Sequence, residues 1–251
     1  MGSNTIPSLG ILTLETGRLP GAAAPTPRSG SMLNPLTYDF PVITETVPGA
    51  WVENVVRGDP ALEPAYIEAA QRLVARGAVA ISSDCGFTIR HQAAVAASVN
   101  VPVAMSSLLL LPALIRQAPP HGKIAVLTYD STHCEDGMLG INNLADRSRV
   151  VIGGIEGGKV WQNEMMRPPQ RTEVPEIETD VAACVARLRS AHPEIGAILL
   201  ECTMFPLVAP AMRHLTSLPV YDITSLCRMM ITSLDLPAAA SISRENAHGY
   251  Q

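Results

Sequence analysis

Short apolar runs alternate along this chain with longer segments in which apolar positions recur every three or four residues. The runs at 9–14, 41–47, 78–83, 101–105, 124–129, 150–155, 197–201 and 220–222 predict strands. Several are apolar throughout, as strands of a parallel sheet covered on both faces should be. Between them, 61–76 carries Leu62, Tyr66, Ala69, Ala70, Leu73 and Val74 at helical spacing, and Gly77 stands where a helix stop is expected. The stretch 177–191 carries Ile177, Val181, Cys184, Val185 and Leu188 on one face, which accounts for Cys184 as a core residue. Shorter helices are predicted over 88–98 and 206–216, the second opening with Pro206, whose absent N–H is no loss in a first turn. Strands alternating with amphipathic helices predict an α/β fold.

The pattern repeats. Ile11-Leu12-Thr13-Leu14-Glu15-Thr16 corresponds to Val126-Leu127-Thr128-Tyr129-Asp130-Ser131 at an offset of 115. Ala78 to Gly86 and Ala197 to Thr203 each run from an apolar strand through an acidic residue to a cysteine, Cys85 and Cys202, 117 positions apart. Pro102 and Pro219 each stand 17 residues beyond their cysteine. This reads as a duplicated half. It predicts two pseudo-symmetric lobes, each a mostly parallel sheet flanked by helices, with a cleft between them. One lobe is 1–107 plus 219–251 with the first cysteine, and the other is 108–218 with the second. Two stretches fall outside the rhythm, 17–40 and 157–176, and are read as loops covering the cleft. The first, with Gly30-Ser31-Met32, reads also as a mobile segment.

Composition narrows the function. The chain has 251 residues, 47% of them hydrophobic, enough for a sizeable core. With three Phe and two Trp, that core must be aliphatic. A net charge of -5 and no dense Lys/Arg block argue against a nucleic-acid partner and for small-molecule work. Five cysteines without a Cys-x-x-Cys pair, and no histidine at ligand spacing, predict neither disulfides nor a metal site. The start carries no basic segment followed by an apolar one, and the apolar run 106–118 is short and broken by Pro112. The expectation is a reduced cytoplasmic protein with no membrane partner.

Cys85 and Cys202 both stand at the carboxyl end of a strand, where parallel α/β sheets form their ligand crevice. A helix beginning there offers N–H donors and partial positive charge, which hold a carboxylate and lower a thiol pKa. Two such thiols on opposite faces of a carbon can remove a proton from one side and return one from the other. Fixed N–H donors would stabilise the enolate that forms between these steps. The other reading is two structural cysteines of an aliphatic core, as Cys134 and Cys227 are read. Asp84 and Glu201 precede the thiols, and strand alternation points each away from its neighbour. They read as loop-capping or lobe-bridging carboxylates, or else as groups that recognise a substrate ammonium or orient a thiol, whose pKa they would raise. Glu15 and Asp130, at corresponding strand ends, carry the same two readings. His133 is the histidine closest to these ends, and Gly153 to Gly158 reads as a turn rather than a cofactor loop.

Glu201-Cys202-Thr203-Met204-Phe205-Pro206 resembles the Gly-Cys-Thr-His-Tyr-Pro-like motif at the second catalytic cysteine of the aspartate/glutamate racemase superfamily. Ser83-Asp84-Cys85-Gly86-Phe87-Thr88 looks like its first-cysteine loop, and Glu15-Thr16-Gly17 and Thr128 to Thr132 resemble its Asp-Ser-Gly and Thr-containing loops. With the element order, the resemblance covers nearly the whole chain. It implies cofactor-independent racemisation or a related proton transfer on a small carboxylate, an amino acid or related acid, with Cys85 and Cys202 as acid and base. Gly86, Phe87 and Thr203 would hold the substrate carboxylate. Glu15, Thr16, Thr128, Ser131 and Thr132 would line the floor, with Ser106 and Ser107 near it. A homodimer or higher homo-oligomer is also implied. Related branches include cis-trans isomerases and malonate decarboxylases, and a non-catalytic two-lobe binding protein is the reading from another class. Phe87 stands where many amino-acid racemases have a polar residue, and Met204 where they have His or Glu, so the expected substrate is less polar than glutamate.

Overall fold

The computed structural model describes residues 6–17 and 26–234. All eight predicted strands form. The first sheet contains β1 (Ser8–Thr13), β2 (Val42–Thr46), β3 (Ala78–Ser83) and β4 (Val103–Ala104), and the second β5 (Lys123–Thr128), β6 (Val150–Gly154), β7 (Ile195–Leu200) and β8 (Val220–Tyr221). Their orders are β2-β1-β3-β4 and β6-β5-β7-β8, every pairing parallel. The second order is the first repeated, so the duplication read from the sequence is the architecture.

The repeat extends to single hydrogen bonds. The β1–β3 register shifts between Ser8 and Leu9, and the β5–β7 register shifts between Lys123 and Ile124, the same place in each lobe. Ile81 N–H donates to Pro102 O and Ile198 N–H to Pro219 O, both at 2.9 Å. These prolines accept but cannot donate, so β4 and β8 hold two ladder residues each, fewer than the runs 101–105 and 220–222 predict.

The helices are α1 (Val52–Arg57), α2 (Glu63–Ala75), α3 (Gln92–Ser98), α4 (Leu111–Gln117), α5 (Leu144–Arg147), α6 (Lys159–Glu164), α7 (Val174–Ala191), α8 (Ala209–Thr216) and α9 (Ile223–Thr232). α2 buries Tyr66, Ala69, Ala70 and Leu73, the stripe its spacing predicts. α7 starts before the expected 177, because Glu173 and Glu176 form a reciprocal capping box around Pro175. The predicted helices after the cysteines begin instead as 3-10 turns, Gly86–His91 and Phe205–Val208, which continue into α3 and α8.

Two expectations for the loops change. The stretch 157–176 contains α6 and the start of α7, so it is partly helical rather than a single loop. Residues 18–25 of the other expected cover lie outside the described residues. In its described part, Met32 and Phe40 are buried with Leu9, Ile11, Ile223 and Leu226 in a core patch that includes neither Cys85 nor Cys202.

The lobes exchange their last helices. α4 follows the first sheet and packs on β5, while α9 follows the second sheet and packs on β3. The return to lobe one therefore falls after β8, a few residues beyond the expected 219, because Val220 and Tyr221 pair with Ile198 and Leu199 of β7. One continuous aliphatic core includes Leu12, Met105 and Leu111 together with Leu127, Leu199 and Phe205. Across it, the buried Ser107 hydroxyl donates to Leu200 O at 2.8 Å. Removing a buried donor leaves that carbonyl short of a partner, so Ser107→Ala should cost about 1–3 kcal/mol, read as a lower urea midpoint at unchanged slope.

Candidate active site

The carboxyl ends of β3 and β7 face each other across the lobe boundary, and each delivers an acidic residue followed by a cysteine. Asp84 N–H donates to Leu12 O at 2.9 Å and Glu201 N–H to Leu127 O at 2.7 Å, so both acids are anchored to the central strand of their own sheet. After them the chain turns. Cys85 is extended, with φ -142° and ψ 123°, at the head of the turn Gly86–His91. Thr88 N–H returns to Cys85 O and Phe205 N–H to Cys202 O, at 3.2 and 3.1 Å. Thr203 crosses the boundary and donates its hydroxyl to Asp84 O.

These turns open on a cleft of about 430 Å³ including its mouth. Cys85, Gly86 and Phe87 line it from one lobe and Cys202, Thr203 and Met204 from the other, with Asp84, Glu201, Tyr129 and Glu164 among them. Leu14, Val52, Val56 and Val160 supply apolar wall. The two thiols therefore share one cavity, neither in a disulfide, Cys85 buried and Cys202 half-buried. Both acids border the cleft, but Asp84 turns Oδ1 back to Leu14 N–H in its own lobe, while Glu201 reaches toward Gly86 of the other.

Other expected residues lie around the cleft rather than on it. Glu15 and Thr16 line an adjoining recess with Trp51, Glu53, Glu164 and Arg167. Arg167 stands 4.4 Å over the Trp51 ring and pairs with Glu53, closing α1 against the segment after α6. Thr128 donates to Glu201 Oε2 at 2.8 Å, and Ser131 to Glu156 at 2.6 Å. Asp130 caps Thr132 N–H, Ser106 caps Leu108 N–H, and Ser107 bridges the lobes. His133 pairs with Asp130 at 3.3 Å. All are supports of the strand ends. The sequence reading passed over Tyr129, Val160 and Glu164. Tyr129 is fixed by its hydroxyl, which donates to Trp161 O at 2.9 Å, and by stacking on the Trp161 ring. Among the described residues no cluster of three or more His, Cys, Asp or Glu is placed to hold a metal ion, and no helix is long and apolar enough to cross a membrane.

No protein-family model matches the chain. It is 30% identical over 205 residues to a dimethylsulfoniopropionate lyase of Durusdinium sp. clade D, covering 78% of this chain and 67% of that protein. The chain belongs to the dimethylsulfoniopropionate lyase family. Dimethylsulfoniopropionate lyase 7 of Emiliania huxleyi (strain CCMP1516) is 29% identical over 238 residues, covering 91% of this chain and 67% of that one. The chain thus spans about two thirds of the length of these lyases. Its fold is that of two better-known groups. A sulfate-associated mutant of arylmalonate decarboxylase superposes with a TM-score of 0.55 at 17% identity, over 93% of this chain and 97% of that one. Glutamate racemase from Francisella tularensis, in complex with D-glutamate, superposes with a TM-score of 0.54 at 11% identity, over 90% of this chain and 80% of that one.

The lyase-family cleft has an electrostatic character opposite to the one the helix ends predict. Burial pushes the Cys85 and Cys202 thiols well above the ordinary thiol range, and the Glu201 carboxylate adds to both shifts. The N–H of Phe87 works the other way at Cys85, as do those of Met204 and Phe205 at Cys202, and they are outweighed. Burial is also the leading cause that raises Asp84, Glu164 and Glu201, each to about 7. Among the described residues no Lys, Arg or His lines the cleft.

A carboxyl raised in the folded state is stabilising below its unfolded pKa of about 4, and that contribution is lost as pH rises through about 7. Glu201→Gln removes one such group. The stability of this variant relative to wild type should therefore improve between pH 5 and pH 8, measured by urea unfolding at both.

Proposed function

We propose that the chain removes the α-proton of a small carboxylate with a cleft thiolate and expels a cationic leaving group from the β-carbon, as a lyase acting on dimethylsulfoniopropionate would. The observation that carries this reading is the lining of the cleft: two thiols and three carboxyl groups, with no basic side chain among the described residues. Such a site suits a substrate whose reacting end is positive. The apolar walls from Phe87, Met204, Val52 and Val56 suit methyl groups on that cation.

In this reaction the sulfur of Cys85 or Cys202 takes the α-hydrogen as a proton. The C–H electrons become the second bond of acrylate, and the C–S bond breaks with its pair going to dimethyl sulfide. Backbone N–H groups of Phe87, Met204 and Phe205 lie at the sulfurs. There they are placed to favour anionic charge on the substrate carboxylate as it becomes enolate-like. The high thiol pKa of the empty cleft fits this scheme, because a sulfonium entering beside the sulfurs supplies the opposite charge that favours thiolate. Bound substrate then favours the thiolate further.

Two-thiol racemisation is the second reading, and one fact favours it: elimination needs one thiol, and two line the cleft. The readings separate in one experiment. The lyase reading expects dimethyl sulfide in the headspace and acrylate in solution, with one of Cys85→Ser and Cys202→Ser lowering the rate about 10²–10⁴-fold and the other less. The racemase reading expects no dimethyl sulfide, loss of turnover in both variants, and solvent deuterium in both enantiomers of an aliphatic or aromatic 2-amino or 2-hydroxy acid. A chain that does neither would falsify the proton-transfer proposal altogether.

A further inference from the structure

Glu201 breaks the pseudo-symmetry of the cleft. Its counterpart Asp84 turns back into its own lobe, where Oδ1 accepts from Leu14 N–H at 3.0 Å. Thr13, the counterpart of Thr128, bonds Thr46 at 3.1 Å. Glu201 is fully buried and one methylene longer. Its Oε2 accepts from Thr128 at 2.8 Å, while Oε1 has no hydrogen-bond partner. That free oxygen lies against the opposite lobe. A Cβ built on Gly86, the residue after Cys85, would fall 2.2 Å from Oε1 and 2.4 Å from Glu201 O. Glycine at 86 is what admits the carboxylate to the Cys85 loop.

A buried carboxylate with one oxygen bound and the other bare is poorly explained as a structural strut, since a strut would satisfy both. The geometry points to Glu201 as a positioning residue that accepts the proton of a cleft thiol through Oε1, leaving the sulfur anionic to act as base. This rests on the α-proton chemistry proposed above. The S–H bond breaks with its electrons left on sulfur, and an O–H bond forms on Oε1. The pair carries a single negative charge before substrate reacts and becomes neutral when the thiolate takes the substrate proton, since two neighbouring acids in a buried site do not both ionise. After the thiolate has taken a proton from substrate, Glu201 returns its own to water and the cycle closes.

The groups that act on this pair come from every neighbouring element. Cys85 and Asp84 follow β3, Cys202 follows β7, and Glu164 closes α6. Thr128 and the N–H of Tyr129 favour the charged carboxylate, as does Arg90 from the turn after Cys85. Cys134 also feels the Glu201 charge. Burial outweighs these favourable partners and sets the carboxyl to titrate at about 7, within reach of a working pH.

The test reads thiol state without substrate. Purified full-length protein is alkylated with iodoacetamide from pH 5.5 to 10, and the Cys85 and Cys202 peptides are quantified by mass spectrometry. In wild type, alkylation of one of them should rise through about pH 7, when Glu201 first becomes able to accept. In Glu201→Gln that rise should move to higher pH by at least about 1.5 units, toward the ordinary thiol value or above it. Turnover of dimethylsulfoniopropionate at pH 7 should fall about 10²-fold or more. Thr128→Val, which removes the bond favouring the charged carboxylate, should move the rise upward by less and recover turnover at higher pH. It carries the test if Glu201→Gln does not fold.

A carboxylate that only repels thiolate has the opposite sign. In that case Glu201→Gln would move the rise to lower pH, and that result, or an unchanged profile in both variants, overturns the inference. Wild type that shows the expected alkylation profile yet releases no dimethyl sulfide upholds the role of Glu201 and removes only the substrate reading.

Discussion

The structure depends on two parallel sheets being held with the carboxyl ends of their central strands facing each other. A parallel sheet fixes this geometry because every strand ends on the same edge, so whatever follows β3 and β7 must emerge into the space between the lobes. What keeps the lobes in register is the exchange of α4 and α9, each packed on the sheet it does not follow. Neither lobe has a complete core alone, and the aliphatic cluster runs unbroken from Leu12 to Leu199. The cleft is therefore a seam inside one folding unit rather than a gap between two bodies. Its thiols are positioned by the same contacts that stabilise the protein.

Burial in that seam decides the electrostatics. The turns after each cysteine do supply N–H groups to sulfur, as helix starts do, but they are short 3-10 turns and both cysteines are withdrawn from water, Cys85 more than Cys202. Desolvation of an anion outweighs a few oriented dipoles, and the neighbouring carboxylates add to it. The empty site is consequently a poor place for an isolated negative charge. Under the proposed function, a positive reacting end would restore what burial removes.

Much of this was legible in the sequence. Each strand appears as an apolar run, because strands covered on both faces need no polar alternation, and the offsets of 115 and 117 survive as matching register shifts and proline bonds. The pairing of Cys85 with Cys202 was legible for the same reason. The contribution of α6 was not. Its start, Gly157-Gly158-Lys159, has no side-chain cap, and Pro168 and Pro169 soon follow its end, so the segment reads as loop. The signal was Val160 and Glu164 four apart, one helical turn, which places both on the cleft side. Asp84 takes the loop-capping role and Glu201 the lobe-bridging one that the sequence offered, each from the residue after its strand. Thr128, Ser131 and Thr132 resemble substrate ligands by motif, yet their hydroxyls are committed to Glu201, Glu156 and Asp130.

The departures from two-fold symmetry are where one chemistry can be told from another on this fold. A fully symmetric pair of thiols would suit a reaction that runs equally from either face, as racemisation must. Here the two strand ends carry different acids: the shorter is tied to the backbone of its own lobe, and the longer reaches across to Gly86 with one oxygen bare. Under the proton-transfer proposal, such an arrangement would favour proton removal in one sense over the other. A reaction that ends by expelling its leaving group, and has no proton to return from the far side, would tolerate this bias. The difference of one methylene between Asp84 and Glu201 is thus a sequence feature that bears on reaction class, where the cysteines alone bear only on proton transfer.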